Sequence, residues 1–268
     1  MKRLLKTGLS MFLLALVLIA LSYTALRAKG VNNPSSAAGR AVRSETREVS
    51  AKITQIDLSG PIDLTLRRGA TPMLTVSGEQ RLLANVQTTL DGATIHIGPK
   101  GMLFHHRQPL QVELVLPNLT KLDIHGSGDS IVSGFSGDSL SLELIGSGDV
   151  KFTGRYKDLK ASVQGSGDLE LHGGNSDSVS LNMVGSGNIS ASGNTKALQL
   201  DLSGSGDVDA EHLAADQAKV IVQGSGQASV FVRNDVDLTL RGSGDIQVFG
   251  NPRQRASQRS GPGEVTWH

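Results

Sequence analysis

A four-residue phrase, Gly-Ser-Gly followed by a polar residue, recurs seven times between residues 121 and 250 and restricts the folding of this chain more than any other feature. It begins at Gly126, Gly146, Gly165, Gly185, Gly204, Gly224 and Gly242, and its second glycines are Gly128, Gly148, Gly167, Gly187, Gly206, Gly226 and Gly244. The fourth position is Asp in five copies, Asn188 in one and Gln227 in another. Successive copies are 20, 19, 20, 19, 20 and 18 residues apart. A nearly fixed period of this size marks a solenoid or an array of hairpins.

Within each period every second residue is apolar. Leu140, Leu142, Leu144, Gly146, Gly148, Val150 and Phe152 share one parity, while Ser141, Glu143, Ser147, Asp149 and Lys151 share the other. The same alternation continues through Leu159, Ala161 and Val163, through Leu198, Leu200 and Leu202, and through Val236, Leu238 and Leu240. Period-two alternation describes strands with one buried face. A slip of one residue would turn every apolar side chain into water, so the register is fixed. Both glycines of each phrase fall on the inward parity. They mark a bend where an inward Cβ would collide with the interior, or a backbone angle that glycine reaches at least cost. The Ser and Asp point outward, where they hydrogen-bond nearby backbone amides as turn residues do.

Two architectures accommodate such a unit. In a single-stranded parallel β-helix each period of about 20 residues is one coil, and equivalent residues stack about 4.8 Å apart. In a prism or propeller each phrase closes an antiparallel hairpin. Propeller blades take roughly 40 residues, so the period favours the parallel β-solenoid. The 32 glycines and 3% aromatic content suit many tight bends around a narrow aliphatic interior. A net charge of +1 gives no global reason to expect nucleic acid. The absence of cysteine excludes disulfides, thiolate metal sites and lipoprotein acylation.

Ahead of the repeats, Lys2, Arg3 and Lys6 precede an apolar run over residues 11–21. This predicts an export signal within residues 1–28, either cleaved or retained as an inner-membrane anchor through residues 9–26, a stretch near the lower limit for a membrane span. In either case the rest of the chain is expected outside the cytoplasm, in the periplasm or cell envelope. Residues 29–47 are small and polar, and predict a flexible linker. Residues 48–120 alternate again at Ile62, Leu64 and Leu66, at Ile95 and Ile97, and at Leu110, Val112, Leu114 and Leu116. They contain one helical turn between residues 78 and 85 and an Asp91-Gly92 hairpin turn. This segment is expected to supply irregular first coils and the cap that a solenoid end needs. Residues 251–268 carry a loop at 251–255 and a degenerate phrase, Gly261-Pro262-Gly263-Glu264, that predicts a closing coil.

These features together resemble the head GIN domain family of auto-transporter adhesins. The residues that carry the resemblance are Ile62-Asp63-Leu64-Thr65-Leu66, Leu116-Pro117-Asn118-Leu119 leading to Ile124-His125-Gly126-Ser127-Gly128-Asp129, the recurring phrase itself, and Gly250-Asn251-Pro252 with the Gly-x-Gly-Glu-Val that follows. The resemblance runs from about residue 48 to the end of the sequence. It implies a parallel β-helix in the bacterial envelope with no assigned catalytic residues.

Candidate sites are few, and no catalytic or cofactor-binding residue is expected. The outward acids Asp129, Asp149, Asp168, Asp207 and Asp245 form a ladder whose stacked carboxylates are of the kind that Ca²⁺ takes. Turn chemistry accounts for them without metal. Two charges one coil apart repel by only about 1 kcal/mol in water, and one acid per coil is sparse for an ion needing six to eight oxygens. His105-His106-Arg107 reads as a loop, because adjacent side chains on a strand face opposite ways. Arg67, Arg68, Arg253, Arg255 and Arg259 read as solvated charge. The function expected is a non-enzymatic, exported solenoid that binds an external glycan or protein through many equivalent weak contacts. The alternatives are a carbohydrate-active β-helix lyase or hydrolase drawing on Glu143, Asp168 or Glu170, and an envelope scaffold with a structural or signalling role.

Overall fold

Because the alternation is period two throughout, the chain pairs through its backbone and buries one face of every strand. The computed structural model describes residues 41–101 and 109–268, and within them seventeen strands form one continuous ladder. The first are β1 (Val42–Arg47), β2 (Gln55–Gly60), β3 (Ile62–Arg68) and β4 (Met73–Glu79), followed by a single helical turn, α1 (Gln80–Leu83). Next come β5 (Val86–Asp91), β6 (Thr94–Pro99), β7 (Leu110–Leu116) and β8 (Lys121–Gly126). The repeats supply β9 (Ser130–Gly146), β10 (Val150–Gly165), β11 (Leu169–Gly185), β12 (Asn188–Gly204), β13 (Asp207–Gly224) and β14 (Gln227–Gly242). The chain closes with β15 (Asp245–Phe249), β16 (Gln254–Ser260) and β17 (Val265–Trp267).

From β8 onward every pairing is parallel and each coil lies on the one before, which is the solenoid and not the hairpin array. Each of the strands β9 to β14 bends once in its middle. A coil therefore has two arms: one leads into the glycine corner, and the other leaves it for a second bend. Inward residues stack in columns along the axis. Leu122, Leu142, Ala161, Leu181, Leu200, Val220 and Leu238 are successive partners, and each is essentially inaccessible. Full burial of one such aliphatic side chain stabilises by about 1.5–3 kcal/mol, so the columns dominate the folding free energy.

The start of the solenoid departs from chain order. Strand β6 lies parallel beside β2, and β7 parallel beside β3, on the side away from the repeats. The later segment therefore forms a coil beneath the earlier one. Antiparallel strands then cover it: β4 on β7, β1 on β4, and β5 on β6 across the Asp91-Gly92 turn. Residues 42–47, assigned by composition to the linker, instead form β1. Its side chains are almost all exposed, so the strand is held by backbone pairing and carries no apolar alternation to betray it. Arg47 fixes it further, its guanidinium donating to the carbonyls of Val86 and Leu83 at 2.6 and 2.9 Å.

At the far end, Gln254 and Arg255, expected in a loop, already belong to β16. The inward columns end there on Arg255, Ser257 and Arg259, which partner Val236, Leu238 and Leu240. These β16 side chains are exposed, and polar residues on an outer strand discourage edge-to-edge association. Arg255 lies over the Trp267 ring at 4.7 Å, and Arg259 donates to the Gly263 carbonyl at 3.2 Å. Among the described residues no helix is long and apolar enough to cross a membrane. The export-signal or anchor reading falls on residues 1–28 and lies outside the described residues.

Candidate functional site

The glycine corner is the most regular part of the surface, and its chemistry is structural. A Cβ on Gly204 would stand 2.2 Å from the Gly185 carbonyl oxygen, and one on Gly206 would stand 2.2 Å from that of Gly187. The nearest obstacle is thus the backbone of the preceding coil, with interior side chains adding to it at the second glycine, where the Met183 methyl lies 2.9 Å from a Cβ on Gly206. The first glycine also carries a left-handed backbone angle, φ +131° at Gly204. The corners are consequently in backbone contact along the axis, with Ser205 and Gly206 both donating to the Gly185 carbonyl.

The Asp ladder completes this corner. The Oδ1 of Asp129 accepts the backbone N–H of Asp149 at 3.1 Å, and Asp149 accepts that of Asp168 at 3.3 Å. Asp168 accepts both the N–H and the side-chain amide of Asn188, at 2.9 and 3.0 Å. Asp207 and Asp245 accept the N–H groups of Gln227 and Glu264, each at 2.9 Å. Where the preceding coil carries Asn188 or Gln227 instead, the next amide turns to a glycine carbonyl: Asp207 N–H to Gly187 and Asp245 N–H to Gly226, both at 3.2 Å. Each carboxylate is thus the cap for one amide of the next coil. The ladder begins earlier than the phrase does, since Asp63 accepts the N–H of Asp129 at 3.1 Å. Gly60-Pro61-Ile62-Asp63 is a degenerate corner. Among the described residues no group of three or more His, Cys, Asp or Glu converges to hold a metal ion.

The other candidates disperse. His105, His106 and Arg107 lie outside the described residues. Arg68 ties the Pro117 carbonyl and Ser136 together, and Arg255 binds Pro252 and Asn251. Glu143 accepts from Gln164 at 3.1 Å. Glu170 is engaged by Lys151 at 2.8 Å and by His172 at 2.8 Å, and His172 reaches Ser192 at 2.6 Å. Lys151 and then His172 hold the Glu170 carboxyl below the usual carboxylate range. Serine, histidine and acid thus meet as in a hydrolase triad, but on a half-exposed outward face that lines neither of the two cavities described below.

Variation between coils concentrates at the second bend, where the pairings of β9 to β14 carry their register shifts. Two features run along the axis there. One is an exposed row of alternating charge, Asp138, Lys157, Asp177, Lys196 and Asp216, spaced by the same 19 or 20 residues as the corners. Lys157 pairs with Asp138 at 2.7 Å, Lys196 with Asp177 at 2.6 Å, and Arg233 with Asp216 at 3.1 Å. The lysines hold the Asp138 and Asp177 carboxyls below their ordinary range by hydrogen bonding. The other is a shallow groove of about 700 Å³ that crosses β11, β12, β13, β14 and β16. Its floor is Val179, Leu198, Ala218 and Val236, only 2–6% exposed. Its walls repeat coil by coil: Ser178, Ala197, Gln217, Asp235 and Gln254 on one side, and Ser180, Gln199, Lys219, Asp237 and Ala256 on the other. The glycine phrase gives no hint of this groove. The spaced Asp/Lys alternation is the signal in the sequence that points to its edge.

Comparison with known proteins agrees with this architecture. The family model described as "Putative auto-transporter adhesin, head GIN domain" matches residues 52–252. A crystal structure of a "putative adhesin" from Parabacteroides merdae superimposes with a TM-score of 0.79 at 19% identity, covering 85% of this chain and 96% of that one. One from Parabacteroides distasonis gives 0.79 at 23% identity, covering 85% and 97%. A second Parabacteroides distasonis structure, described as a "putative lipid binding protein", gives 0.74 at 24% identity, covering 84% and 96%. No curated protein matches the chain.

Proposed function

From the premise that this chain belongs to the head GIN domain family, we propose that it is a non-enzymatic binding module of the cell envelope, which takes an extended glycan or polypeptide lengthwise along the solenoid. The observation that carries this reading is the groove across five coils, in which every coil places at least one polar side chain on a wall above an apolar floor. A linear polymer laid along the axis meets a polar side chain about every 4.8 Å. Individually weak contacts then add through repetition. The similarity to structures described as adhesins is consistent with this role. An envelope location is supported by Lys2, Arg3 and Lys6 preceding the apolar run over residues 11–21.

A role without catalysis is supported by how the acids are used. Asp129, Asp149, Asp168, Asp207 and Asp245 cap backbone amides, and Glu170 is tied to Lys151 on an open face. The test is an array of oligosaccharides and peptides probed with the wild-type chain and with a Lys219→Ala/Asp237→Ala variant. Retention of an extended ligand that the variant loses supports the groove. Undiminished retention by the variant removes it.

A further inference from the structure

Aromatic side chains are scarce here, nine in 268 residues, and half of the six described are spent on the interior: Phe135, Phe152 and Tyr156 are fully buried. The two partly exposed phenylalanines, Phe231 and Phe249, are direct partners on adjacent coils. Their outward row begins as an Asn ladder, with Asn194 donating to Asn175 at 3.0 Å. It passes through Ala214 to Phe231 and Phe249. His268 then stacks on Phe249 with ring centres 4.8 Å apart and planes 16° from parallel. A polar row thus becomes an aromatic strip in which His268 covers one face of Phe249, and the strip opens into a second cavity of about 530 Å³.

The wall of that cavity comes from a bulge. Ala210 pairs with Val230 and Ala214 with Phe231, so Glu211, His212 and Leu213 have no partners on β14. Leu213 turns inward and is buried, while Glu211 and His212 line the cavity. The Glu211 N–H is fixed by the Asp209 carboxylate at 3.0 Å, which holds the bulge in shape. Bulges of this kind re-aim side chains beside functional sites. β13, with 18 residues, is the longest strand of the array.

We infer that this cavity is a sugar-binding subsite, holding one pyranose ring against Phe231 and Phe249 with Glu211 and His212 taking its hydroxyls. A sugar ring has an apolar C–H face that packs on an aromatic face, and hydroxyls at its edge that need polar partners. A mostly apolar pocket with a few converging polar groups is built for that combination. An acyl chain would gain little from rings that remain half exposed, and the Glu211 carboxylate disfavours an anionic headgroup. The inference rests on the glycan branch of the proposed function and lies on the other side of the same bend as the groove.

The full chain is tested on an array of neutral, acetamido and acidic oligosaccharides and on phosphatidylglycerol vesicles, followed by calorimetric titration of the best glycan. Phe249→Leu keeps apolar bulk but removes the flat face. Glu211→Ala lies on the exposed bulge and keeps the fold should the first variant lose it. Loss of roughly tenfold in affinity in either folded variant is expected for one stacking or hydrogen-bonding contact. Unchanged affinity in both, with binding abolished by Lys219→Ala/Asp237→Ala, overturns the subsite and leaves the groove. Binding of no glycan overturns the sugar assignment and the glycan branch together. Vesicle binding that Phe249→Leu abolishes overturns the sugar assignment in favour of lipid.

Discussion

Three glycine-to-alanine substitutions separate the two constraints on the corner. At Gly92 the angle is left-handed, φ +58°, but an added Cβ meets nothing within 4 Å. The cost there is conformational, about 1–2 kcal/mol. At Gly206 the angle is outside the left-handed region, but the Cβ lies 2.2 Å from the Gly187 carbonyl oxygen and 2.9 Å from the Met183 methyl. Ordinary contact begins at 3.4 Å, so the two coils must part by about 1.2 Å. That distance breaks Gly206 N–H to Gly185 at 3.1 Å and Asp207 N–H to Gly187 at 3.2 Å, for about 2 kcal/mol in all. Gly204 suffers both penalties. Its Cβ lies 2.2 Å from the Gly185 oxygen at φ +131°, which adds backbone strain of about 1–3 kcal/mol to a comparable loss of hydrogen bonds, or roughly 3–5 kcal/mol together. Urea denaturation followed by circular dichroism gives the order, and hydrogen exchange locates the damage, which in a repeat array concentrates in the neighbouring coils. The reasoning fails if Gly204→Ala costs no more than Gly92→Ala, because the coils would then not be in backbone contact.

Other consequences follow from single side chains. Ser130 occupies a core column between Leu64 and Val150, and its buried hydroxyl has no partner; Ser130→Ala is expected to raise the melting temperature, with a gain of about 1 kcal/mol. Burial pushes the Tyr156 phenol up to about 12. The stability it contributes is therefore complete below the ordinary value of 10 and is lost as pH rises through 12. Tyr156→Phe should abolish that alkaline decline, while costing about 1 kcal/mol at neutral pH through the lost bond to the Leu119 carbonyl; denaturation at pH 8 and 11.5 measures both. Asp138 and Asp177 have depressed carboxyl values because of Lys157 and Lys196. Their small contribution is present above the ordinary carboxylate range and disappears as pH falls through the folded values, and added salt should mimic the effect in melting curves. Asp168→Ala removes the acceptor for two Asn188 groups and should cost about 0.5–2 kcal/mol, as loss of a helix cap does. Asn188→Asp removes the amide that donates to Asp168 at 3.0 Å and sets two carboxylates one coil apart, and should cost about 1 kcal/mol by the same denaturation assay.

The sequence by itself determined the parallel coil, its period, the inward columns and the glycine corner. These rest on period-two alternation and on a phrase repeated in phase, both legible along the chain without knowing which strands pair. It also held the alternating Asp138-Lys157-Asp177-Lys196-Asp216 row in plain view, at the spacing of the corners. What tertiary structure alone decided depends on which strands meet. β6 and β7 slide beneath β2 and β3 because the free edges there accept them, and no residue pattern records that choice. β1 has no apolar alternation, so only its pairing with β4 and the Arg47 bonds reveal it. The groove and the aromatic strip lie at the bend where bulges change the register. Phe231 and Phe249 are 18 residues apart in sequence, and Glu211 and His212 face them only because three residues of β13 find no partner on β14. A bulge costs little backbone energy and leaves no periodic trace, so its effect on which side chains converge is a property of the folded stack.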